Sequence, residues 1–94
     1  MRVYIAGPIT GVIDYKEKFR KAEERIKEMG HIVINPAYLP DGLNNYMHIC
    51  KAMIDQADAI VFLNGWRKSK GACEEYEYAI DTKKQIFEEV SLWG

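Results

Sequence analysis

Residues 59–63 read Ala-Ile-Val-Phe-Leu, five apolar side chains in a row with no polar alternation. A strand with one face in water alternates polar and apolar residues. An unbroken run suits a strand covered on both faces. The chain must therefore supply cover above and below, and its pattern does so. Residues 3–7 (VYIAG) read as a buried strand that runs into the turn Gly7-Pro8. A helix follows, with Tyr15, Phe19, Ala22, Ile26 and Met29 on one stripe, Asp14 placed to cap it and Gly30 placed to end it. Residues 31–36 (HIVINP) read as a second strand stopped by Pro36, and Pro40, Asp41 and Gly42 supply turn chemistry. A second helix spans 44–57, with Met47, Ile49, Cys50, Met53, Ile54 and Ala57 inward. After the central run come a loop over 64–71, a third helix over 71–83 and a fourth strand over 85–90.

Strand and helix alternate throughout, which predicts an α/β fold: a Rossmann-like or flavodoxin-like parallel sheet of four to five strands with flanking helices. With 94 residues there is room for one domain only. The apolar fraction of 48% supplies a core and excludes a disordered chain. A net charge of −1 lacks the basic footprint of a protein that binds a nucleic acid polymer. No apolar stretch approaches the roughly 20 residues a membrane span needs, and the N-terminus lacks the pattern of a secretory signal. Cys50 and Cys73 have no metal-type spacing, and neither do His31 and His48, so no metal or cofactor is expected. These readings place the chain in the cytoplasm, with reduced thiols.

Open parallel sheets bind ligands outside the carboxyl ends of their strands. That singles out 7–11 and 64–71, and with them the start of the third helix. There Glu74 and Glu75 stand side by side. A carboxylate in a first helical turn is favoured by the helix dipole alone. The apolar stripe 72, 76, 79, 80 and 83 puts Glu75 at the border of the packed face and Glu74 in water.

Several motifs carry a resemblance. The segments YIAGP, A-D-A-I-V and the Gly-x-x-x-Glu-x-x-x-Ala helix start resemble the nucleoside 2-deoxyribosyltransferase superfamily. Over nearly its whole length, through VYIAGPITG, GHIVINPA, DAIVFLNGW and SKGA, the chain is similar to a family of small uncharacterised proteins grouped with that superfamily. The superfamily's helix motif falls on 71–79, and the resemblance implies that Glu75 is a nucleophile attacking the sugar C1′ of a nucleoside. It further implies that Asp58 contacts the base, that Tyr4 holds the Glu75 carboxylate, and that Gly7 and Pro8 let the backbone approach the sugar. Where the transferases carry an aspartate, this chain has Ser69. Ser69-x-Gly71 resembles the deoxynucleoside 5′-monophosphate N-glycosidases, in which the serine helps bind the 5′-phosphate. A serine at a helix start can also be simply an N-cap. Tyr4 can be a strand aromatic, and Asp58 a polar residue closing a turn. Ile9 adds donors from the first loop, and Asn35 stands at another strand end. Trp66 and Trp93 can stack on a base or fill core and interface.

Two functions stay open on this reading. One is an enzyme of the N-glycosidic bond, a 5′-monophosphate N-glycosidase or a deoxyribosyltransferase. The other is a non-catalytic binder of a nucleotide or ADP-ribose-like ligand. The expected partner is a small nucleoside or nucleotide. A homodimer or higher homo-oligomer is expected, because so short an α/β chain has little core of its own.

Overall fold

The computed structural model describes residues 1–93. Its four strands are β1 (Arg2–Ala6), β2 (Ile32–Ile34), β3 (Ala59–Phe62) and β4 (Gln85–Glu88). All pair in parallel, in the order β2-β1-β3-β4. The helices are α1 (Tyr15–Glu28), α2 (Tyr46–Asp55), α3 (Lys70–Asp81) and the short α4 (Glu89–Leu92).

The unbroken apolar run lies where its composition requires. Every residue of β3 is buried, between β1 and β4. Its side chains divide between two cores. Ile60 and Phe62 join Tyr4 and Ala6 of β1 under α2 and α3. Ala59 and Val61 join Val3 and Ile5 under α1, with α4 beside it. Covering both faces of a sheet this small leaves the edges thin. β2 has only three residues, and Ile32 on it is largely exposed.

Element ends depart from the sequence expectation for local reasons. The second strand stops at Ile34, because Asn35 begins a 3-10 turn over Pro36–Tyr38 and accepts the Ala37 N–H at its own side chain. The second helix starts two residues late, because Asn45 is left-handed at φ 54°. The fourth strand ends at Glu88, opposite Phe62, where β3 itself ends and offers no further partner. Residues 89 and 90, expected as strand, enter α4 instead. The third helix ends at Asp81, and Lys83 is left-handed at φ 59°. Ile80 and Lys83 are thus exposed, and the packed side of α3 is Ala72, Glu75 and Ala79. Met29 lies past the end of α1 and is exposed.

Gly7 joins β1 to its loop beside Leu63, the residue that follows β3. A Cβ there would stand 3.0 Å from the Leu63 Cβ, tighter than side chains normally tolerate. Gly7→Ala is expected to destabilise the fold by roughly 1–3 kcal/mol through overpacking. An unchanged denaturation midpoint would show that the two loops can part without cost.

Candidate functional site

The carboxyl edge of the sheet opens into a cleft of about 420 Å³. Its floor begins with Tyr4, a fully buried side chain that points from β1 toward α2 and α3. The phenol donates a hydrogen bond to Glu75 Oε2 on α3. Glu75 is only 6% exposed, an uncommon position for a carboxylate. Its other oxygen, Oε1, accepts no hydrogen bond among the described residues, yet no fully buried side-chain oxygen lacks a partner. Oε1 therefore reaches the cleft, which Glu75 lines. One oxygen is fixed and the other is presented.

Burial dominates the electrostatics. Desolvation pushes the Glu75 carboxyl up to about 7, against the opposing pull of the Tyr4 hydrogen bond and with a smaller push from the Glu74 charge. The Tyr4 phenol is held well above its ordinary range, first by burial and then by the Glu75 charge. Burial likewise raises the Cys50 thiol and the Tyr46 phenol, both from α2 and both on the cleft wall. Glu74 is a different kind of residue. It faces water and pairs with Lys51 at 3.2 Å. The helical stripe separated the two glutamates correctly.

Ser69 caps α3: its Oγ accepts the Ala72 N–H at 3.2 Å. The hydroxyl proton stays free to donate, and a helix cannot satisfy its own first N–H groups. Ser69 and Gly71 both line the cleft, so this end of it suits an anion. Gly7 and Ile9 line it too.

Three of the expected site residues lie elsewhere. Asp58 sits just before β3, at the amino edge, whereas the cleft opens at the carboxyl edge. Its Oδ2 accepts the Arg2 N–H at 2.8 Å, its Oδ1 lies 3.4 Å from the Arg2 guanidinium, and these contacts lower its carboxyl. It fastens two strand starts and touches nothing of the cleft. Pro8 points away, into a hollow on the α1 side. Asn35 is buried as a bracket: it receives the Ala37 N–H and donates to Glu23 Oε1 at 3.0 Å. Its neighbour Pro36 lines the cleft instead. Trp66 is also withdrawn, stacked on Tyr76 at 4.8 Å with its indole N–H on Glu88.

The cleft holds residues that the sequence reading passed over. Asp41 lines it as a second carboxylate and accepts the Tyr15 hydroxyl at 3.3 Å. Its Pro-Asp-Gly setting had signalled a turn and nothing more. Tyr46 also lines it and donates to the Pro36 carbonyl at 3.3 Å. Among the described residues, no three His, Cys, Asp or Glu side chains are grouped so as to hold a metal ion, and no helix is long and apolar enough to cross a membrane.

The raised Glu75 carboxyl makes stability depend on pH. Between its ordinary value of 4.5 and about 7, the folded protein binds a proton that the unfolded chain has released. The stability this contributes is complete below 4.5 and is lost as pH rises through 7. Glu75→Gln removes the titration but keeps the shape. Its stability relative to the parent should rise by roughly 1–3 kcal/mol between pH 5 and pH 8. Parallel melting-temperature profiles for the two proteins would contradict the raised value.

No curated protein matches the chain significantly. A family match, in contrast, spans residues 1–88, which include the whole sheet and every residue of the cleft. The chain belongs to the family described as Domain of unknown function (DUF4406).

Proposed function

We propose that the protein is an enzyme of the N-glycosidic bond, acting on a nucleoside or nucleotide with Glu75 as its nucleophile. The observation that carries this reading is the divided carboxylate, with Oε2 held by Tyr4 and Oε1 open to the cleft. In the reaction Oε1 attacks C1′ of the sugar, the C1′–N bond breaks, and its electron pair leaves with the base, which takes up a proton. Water, or a second base, then releases the sugar from Glu75. Tyr4 keeps the carboxylate aimed. Ser69 and the start of α3 receive a 5′-phosphate. Asp41 replaces Asp58 as the carboxylate that meets the base, because it is the one that lines the cleft.

A panel of nucleosides and 5′-monophosphates, assayed for released base, tests this reading. Glu75→Gln should lower release by roughly a thousandfold or more, since the amide cannot form the glycosyl ester. Glu74→Gln should leave it nearly intact. Release should rise with pH through about 7 as Glu75 ionises. Equal rates for the parent and both variants would exclude Glu75 as nucleophile. The retreat of Asp58 from the cleft favours a second reading, a binder of nucleotides or ADP-ribose-like ligands without turnover. Tight nucleotide binding with no base released from any substrate would establish it.

A homodimer or larger assembly in the cytoplasm accompanies this proposal. It is supported by the fully exposed Ile13 and the largely exposed Tyr38 and Ile32, and by two free cysteines. Light scattering at micromolar concentration should give at least twice the 10.9 kDa chain mass. A monomer would refute it.

A further inference from the structure

A second hollow, of about 410 Å³, lies on the α1 and α4 side of the sheet. It too opens at the carboxyl edge, where Pro8 follows β1 and Leu63 follows β3. That point, between β1 and β3, is where the strand order reverses, and it is where open parallel sheets take their ligands. The volume falls within the roughly 300–1,000 Å³ of small-molecule sites.

The lining is chemically divided. Pro8, Phe19, Ala22 and Leu63 form an apolar base. Above it, Lys18, Lys21 and Arg25 project from one face of α1, at spacings of three and four. Lys21 and Arg25 form no ion pair among the described residues, and Lys18 meets only Asp14, at 3.7 Å between two exposed side chains. Among the described residues the one acid in the lining is Glu89, and both its oxygens are engaged. Oε1 accepts the Asn64 N–H at 2.9 Å, and Oε2 accepts the Trp93 indole N–H at 3.3 Å. Glu89 thus fixes α4 and the indole in place while three cations face the hollow. Arg25 already lies over the Trp93 ring, at 5.6 Å from its centroid. An apolar base beside an indole suits a planar ring, and Lys21 and Arg25, which form no ion pair among the described residues, suit phosphate.

We infer that this hollow is a second ligand site, for a small phosphorylated molecule that carries a planar aromatic ring. It is separate from the Glu75 cleft and does not depend on the function proposed there. The two share Phe19 and stand on either side of the loop after β1, which turns Ile9 and Thr10 to the cleft and Pro8 and Val12 to the hollow.

The test is titration of the intact chain with ADP, followed by amide and indole NMR signals. ADP should shift the Trp93 indole signal saturably, more tightly than either pyrophosphate or adenosine, with an affinity that falls as salt is added. Replacing the two cations that form no ion pair, Lys21→Ala with Arg25→Ala, should weaken this binding by about tenfold or more. The amides of Gly71 and Ala72 in the cleft should respond to ADP as before. The inference is overturned if millimolar ADP leaves the indole signal unmoved, or if the double variant binds as the parent does. Pyrophosphate binding as tightly as ADP would overturn it as well, since the ring would then contribute nothing.

Discussion

The parallel pairing of β1 with β3 is the constraint on which everything else rests. It joins residues 56 apart in the chain, from Val3 with Ala59 to Ala6 with Phe62. Both strands are buried on both faces, so each face must be covered by helices drawn from the connections on either side. The first connection carries α1 to one face, and the later ones carry α2 and α3 to the other. The chain therefore leaves β1 and β3 in diverging directions at their carboxyl ends. Neither helix layer can close the gap, and the cleft and the second hollow occupy its two sides.

Glu75 is the one carboxylate taken into the helix-covered core on the cleft side, and its cost is visible in the raised carboxyl. An isolated ionised carboxylate in such a place costs several kcal/mol, which explains why the group retains its proton up to neutral pH. Tyr4 offsets only part of this, because its single hydrogen bond serves one of the two oxygens. Replacing Glu75 by an apolar residue would remove a destabilising burial. A stable core gives no reason for a glutamate here, and a site does.

Much of this was legible before any coordinates. The central strand follows from its unbroken apolar run, the α/β class from the alternation of strand and helix patterns, and the inward turn of Glu75 from the 3.6-residue period of its helix, all of which local sequence reports directly. Asp58 enters the expected site through the family resemblance alone, against what its place in the chain implies. A residue before a parallel strand stands at the amino edge, and Asp58 before Ala59 had to lie opposite the cleft. Asp41 was missed for the opposite reason. Pro-Asp-Gly is a sufficient turn signal by itself, and only the return of the 39–43 loop over the β1 end gives its carboxylate a second meaning. Asn35 was hidden similarly, since its partner Glu23 comes from α1 and contact across elements leaves no local pattern.

The state of Glu75 is finally a matter of what stands near it. With a carboxyl near 7, small changes in local charge decide whether Oε1 carries a lone negative charge or a proton. In the proposed reaction, a sugar that develops positive charge at C1′ would favour the carboxylate as the bond lengthens. A bare phosphate bound nearby would do the reverse, raising the carboxyl further by repulsion. The start of α3 resolves this conflict. It presents the Ser69 hydroxyl and first-turn N–H groups ahead of Glu75, so that a bound phosphate is met by positive dipole ends before its field reaches the carboxylate. Under the function proposed above, Glu75 would keep its charge beside a phosphorylated substrate because the turn before it on the same helix offers that anion N–H groups.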